Sequence, residues 1–135
     1  MHLIFRLTAN PLFRMACLAA ALFSIVELFW LGAKPIAVNL IPPPWDKAAH
    51  FATYLTICFL LWFAAGLSRQ FYVVLAAFCV ALADESRQVW LPGRHAEWQD
   101  LAANIAALVI FLIVASTYSR FISATTTVPS SIRSD

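Results

Sequence analysis

Residues 47–67 read KAAHFATYLTICFLLWFAAGL. After Lys47 and His50 this stretch carries no Asp, Glu, Lys, Arg or His. A bilayer core of about 30 Å takes about 20 residues of helix. In hydrocarbon each backbone amide needs an internal partner, so such a stretch crosses as a helix. Three further stretches have comparable length and character: 11–33, which contains CLAAALFSIVELFWLGA at 17–33, then 70–90 and 101–119. The chain is 62% hydrophobic and 12% charged, where a soluble domain is nearer half apolar and about a quarter charged. A chain of 135 residues cannot hide that much apolar surface in one water-soluble core. The reading predicts an all-α fold: a polytopic transmembrane bundle of four helices with short loops, occupying 1–121, followed by a disordered polar tail at 122–135.

The connections support this division. Pro42, Pro43 and Pro44 make a stiff extended approach to the second helix. Ser68 and Arg69 form a tight turn, and Pro92 and Gly93 end the third helix. The residues after Arg120 are rich in Ser and Thr, a composition that does not bury a core. Arg6 and Arg14 precede the first apolar run as in a signal peptide, but the run is long, Glu27 interrupts it and no Ala-x-Ala site follows. A net charge of +2 with no basic run excludes nucleic acid as a partner. Cys17, Cys58 and Cys79 lie in apolar stretches without CxxC spacing, so each reads as a small hydrophobe.

Charge sets the expected orientation. With a cytoplasmic N-terminus, that side carries Arg6, Arg14, Arg69, Arg120 and Arg133. The other side carries Lys34, Lys47, Arg87 and Arg94, mostly among Asp46, Asp84, Glu85, Glu97 and Asp100. The positive-inside rule then favours a multi-pass protein of the inner (cytoplasmic) membrane with both termini in the cytoplasm. Trp30, Trp45, Trp90 and Trp98 fall at helix ends on the outer side, and Tyr72, Tyr118 and Phe121 at the opposite one, as an aromatic belt requires.

An up-and-down topology gathers polar groups at one membrane face. Asp46, His50 and Tyr54 are spaced by four along the second helix; Glu85 and Gln88 are three apart at the end of the third; Asp100 and Asn104 open the fourth. Lys47 and Arg94 add cations. Ionisable groups at membrane depth cost several kcal/mol, on the order of 3, unless paired or wet. One reading is a purely structural network, with Asp100 favoured at a helix N-terminus. The other is an outward-facing pocket for a polar headgroup, which accounts better for the mixture of residue types. Glu27 either faces this cluster or reaches the interface. Arg87 reads as a solvated or headgroup-facing cation, and His2 and His95 as solvated. Asp46, His50, Glu85 and Asp100 offer ligands for a metal, but one His with three carboxylates is not a zinc signature, and neither metal nor cofactor is expected.

Asp46-Lys47-x-x-His50-Phe51-x-x-Tyr54, Glu85-x-x-Gln88, Pro92-Gly93-Arg94 and Asp100-x-x-x-Asn104 occur in this order across about sixty residues. In these motifs the chain resembles the VanZ-like membrane protein family. It departs from the family pattern at Ala107, where a Gly is usual. The family takes its name from a protein associated with resistance to the glycopeptide teicoplanin, and most members have no assigned activity. The resemblance and the outer-facing cluster imply contact with cell-envelope material.

Three functions follow from the residues. In the first, the pocket binds a membrane lipid, lipid-linked glycan or glycopeptide headgroup, with Lys47 and Arg94 on an anionic group and Tyr54, Glu85, Gln88, Asp100 and Asn104 among its polar contacts. In the second, the protein is an enzyme acting on a lipid-linked phosphate or glycan, with His50 as general base, Asp46 orienting it and Glu85 as acid partner. The third is a transporter, which ranks last because the acids crowd one face and four helices enclose little pathway without a homo-oligomer.

Overall fold

The computed structural model describes residues 2–34, 36, 40–93 and 96–126. Among these residues, five α-helices follow one another: α1 His2–Ala9, α2 Pro11–Gly32, α3 Trp45–Ala65, α4 Gln70–Gln88 and α5 Trp98–Thr126. The described residues contain no strand. α1 is an addition to the expected set. Pro11 cannot continue it, and the Asn10 side chain accepts from the Leu12 amide at 2.9 Å, capping a new helix.

Among the described residues, three helices are long and apolar enough to cross a membrane: Pro11–Gly32, Trp45–Ala65 and Trp98–Ile122. The fourth expected segment forms a helix, α4, 19 residues long, but it is not among those three candidate spans. Its last turns hold Asp84, Glu85 and Arg87, and these charges set it apart from the other three. α5 starts three residues before the expected boundary and runs to Thr126. It therefore enters the expected tail, whose residues 127–135 lie outside the described set.

α3 packs against α2, α4 and α5, and α5 also packs against α4. Small residues make these approaches close: Ala77, Ala81, Ala107 and Ala115 are fully buried. Ala107 fits inside the core with no exposed surface. At mid-bundle, Phe111 meets Phe59 edge-on at 5.3 Å and Trp62 at 5.8 Å. Trp62 donates its indole N–H to the Leu67 carbonyl at 2.9 Å. Tyr118, partly buried, packs edge-on against Trp62 at 5.7 Å.

At the far end from the polar cluster, α3 stops at Gly66, whose φ of 103° and ψ of 147° suit glycine alone. Arg14 of α2 reaches the freed carbonyls of Ala64 and Ala65. A cation at a helix C-terminus also complements the helix dipole.

Candidate functional site

The start of α3, the end of α4 and the start of α5 converge as the alternating topology demands. Asp46 lies in the first turn of α3, where its Oδ1 accepts from the Lys47 amide at 2.8 Å. Lys47 then swings its ammonium between helices. Nζ sits 2.7 Å from Asp46 Oδ2, 2.6 Å from Glu97 Oε2 and 2.6 Å from Asp100 Oδ1. The ammonium donates hydrogen bonds to Asp46 and Glu97, and Asp100 completes the group as an ion pair. This knot ties α3 to the N-terminus of α5.

One turn along α3, His50 Nε2 stands 3.6 Å from Asp100 Oδ2, an ion-pair approach longer than a hydrogen bond. The carboxylate beside the imidazole therefore comes from α5. Spacing along α3 had pointed to Asp46 instead. A further turn on, Tyr54 is fully buried and its hydroxyl lies in the electrostatic field of Asp84 and Glu85.

α4 contributes Asp84, Glu85 and Gln88, all buried. Gln88 Nε2 donates to Glu85 Oε1 at 3.3 Å. Arg87 turns to α2: Nη1 donates to the Phe29 carbonyl, the guanidinium covers the Phe29 ring at 4.7 Å, and Nη2 stands 3.7 Å from Asp84 Oδ1. Gly32 makes room for it, since a Cβ there would stand 3.0 Å from Arg87 Nη2. On α5, Asn104 is fully buried and neither amide atom has a hydrogen-bond partner.

Between these helix ends lies a cavity of about 680 Å³, within the size range of small-molecule sites. Its apolar lining includes Phe23, Leu28 and Leu31 of α2 with Leu40 and Ile41. Its polar wall carries Glu27, Asp46, His50, Asp84, Arg87, Gln88, Glu97 and Asp100. Five carboxylates thus face one arginine among the described lining residues.

Of the nine residues nominated from the sequence, Asp46, His50, Gln88 and Asp100 line this cavity. Tyr54, Glu85 and Asn104 are buried in the bundle and stand outside the lining. Lys47 is held in its carboxylate knot. Arg94, like His95, lies outside the described residues. The structure adds Asp84 and Arg87 to the site, and Glu97 with them. Asp84 and Gln88 are one turn apart on α4, which was a signal available in the sequence. Glu27 faces the cavity, which resolves its two readings in favour of the cluster.

The architecture is an all-helical bundle with three helices of membrane-spanning length and apolar character and a polar cavity at one end, consistent with a multi-pass membrane protein. The VanZ/LLP1 family model matches residues 2–121, and the chain belongs to that family. No curated protein and no solved structure matches it.

Proposed function

We propose that this protein binds the polar headgroup of a membrane lipid or lipid-linked glycan in the cavity between α2, α3, α4 and α5. The observation that carries the reading is the cavity's composition. One wall is apolar and suits a lipid chain or sugar face, while the other is dense with hydrogen-bond acceptors. Lys47 already faces the carboxylates of Asp46, Glu97 and Asp100, so it is not assigned to an incoming phosphate. Carboxylates facing a cavity favour donors. A headgroup bearing hydroxyls or an amine therefore fits better than a bare anion.

In this reading α4 crosses the membrane with the other three long helices, which carries the chain's start and end to one side. The basic residues Arg6, Arg14, Arg69 and Arg120 assign that side to the cytoplasm of an inner membrane. The cavity then opens towards the cell envelope. Exposed Trp30, Trp45, Trp90 and Trp98 ring the same end and anchor it at the headgroup level.

Native mass spectrometry of the protein released from mixed-lipid nanodiscs tests the reading. Lipids with amine or glycosyl headgroups should be retained over phosphatidylglycerol, and Asp84→Asn should reduce that retention. Preferred retention of the anionic lipid, or no change in the variant, refutes it. A catalytic second reading rests on the pairing of His50 with Asp100 at the cavity wall. It requires turnover of a lipid-linked phosphate or glycan that His50→Gln abolishes.

A further inference from the structure

Two groups of three potential ligand residues stand side by side in the cluster. In each, one ligand atom per residue lies within 4.8 Å of the others. Asp46, Glu97 and Asp100 form the first, and the Lys47 ammonium already serves as its cation. His50, Asp84 and Glu85 form the second.

The second group has features of a different kind. His50 Nδ1 and Glu85 Oε2 are buried without a hydrogen-bond partner. Tyr54, with no exposed surface, carries a hydroxyl that has no hydrogen-bond partner. Buried polar atoms of this sort are seldom left unsatisfied. The other imidazole nitrogen, Nε2, is directed at Asp100. A histidine that binds metal through one nitrogen commonly has a carboxylate or carbonyl beside the other, which fixes its ring orientation.

The geometry points to a divalent transition-metal site formed by His50, Asp84 and Glu85, with Asp100 orienting the imidazole and the Tyr54 hydroxyl beside it. Ligand atoms about 2.1 Å from an ion stand roughly 3–4 Å apart, so small side-chain rotations bring this group to coordinating distance. An imidazole with two carboxylates suits Mn²⁺ or Zn²⁺ better than Mg²⁺ or Ca²⁺, which prefer oxygen alone. Asp84 and His50 face the cavity, which leaves an entry path. The site departs from the sequence-based expectation of no metal because Asp84, the third ligand, became a member of the cluster only through helix packing. It goes beyond the headgroup reading and does not depend on it.

The test uses the full chain in detergent, stripped with a chelator and titrated with Mn²⁺. Loss of the free-ion paramagnetic resonance signal should give one bound ion per chain, displaced by Zn²⁺ and weakly by Mg²⁺. Electron spin-echo modulation of the bound ion should show coupling to one imidazole nitrogen. His50→Asn and Glu85→Gln should each weaken Mn²⁺ binding by roughly tenfold or more. No binding at millimolar metal, bound Mn²⁺ without nitrogen coupling, or unchanged affinity in folded Glu85→Gln overturns the assignment. If both variants fail to fold, the nitrogen coupling of the unaltered protein decides the question alone.

Discussion

Replacing Lys47 by Met tests whether the charge knot holds α3 to α5. The side chain keeps its length and loses its ammonium, leaving Asp46, Glu97 and Asp100 with carboxylate oxygens within 4.8 Å of one another. Two full charges at that distance repel by about 3.5 kcal/mol at an effective dielectric of 20. Glu97 is half-exposed and water screens it, whereas the Asp100 side chain is only 10% exposed. The Asp46–Asp100 pair therefore dominates. Removing one partner of a buried ion pair costs about 3–5 kcal/mol. Because Lys47 and Asp46 keep 25% and 22% of their side-chain surface, a loss of about 2–3 kcal/mol is expected here. Thermal unfolding in detergent reads it. The deficit should shrink as pH falls through the carboxylate range, because protonating one acid removes the repulsion. Adding Asp100→Asn should recover much of the loss, and the double-mutant cycle isolates the coupling. A variant as stable as the parent at neutral pH, or a deficit that does not change with pH, refutes the reasoning.

Phe111→Ala should destabilise the bundle by about 3 kcal/mol or more, since the ring is fully buried against Phe59 and Trp62; a near-neutral melting temperature would contradict the packing. Gly66→Ala meets no steric neighbour, but its positive φ should cost on the order of 1–3 kcal/mol, seen in the same assay; a stabilised variant would contradict the turn geometry. Arg14→Ala should shift stability by about 1 kcal/mol or less through the lost contacts to Ala64 and Ala65 and leave any lipid retention intact. Reporter fusions at the N-terminus and after Arg120 should both report the cytoplasm; activity of either fusion outside it would reverse the proposed orientation.

Hydropathy placed α2, α3 and α4 to within two residues at each end, because length and apolarity are strong helix signals where lipid is the solvent, whereas α5 runs from Trp98 to Thr126, seven residues past the expected end. The break at Asn10–Pro11 was also legible as capping chemistry, yet α1 was overlooked, since eight residues carry too little periodicity to announce a helix. Helical spacing of four put Asp46 and His50 on one face, and both line the cavity. Which acid meets the imidazole was not legible. Asp46 is nearer in sequence, but Asp100 is brought to 3.6 Å by the packing of α5 on α3.

Arg87 and Asp84 show the same division. Composition identifies them as ionisable residues in the last turns of a helix, and nothing local says which way they point. Contact with Phe29 turns Arg87 towards α2, and burial carries Asp84 to the cluster. Glu27 likewise had two readings until the cavity between the helix ends gave it one. The sequence by itself determined that this chain is helical, apolar and polar at one end, because those properties depend on each segment's own side chains and solvent. Which charges neutralise one another was decided only by the tertiary structure, because electrostatic energy depends on distances between residues far apart in the chain, such as Lys47 and Asp100.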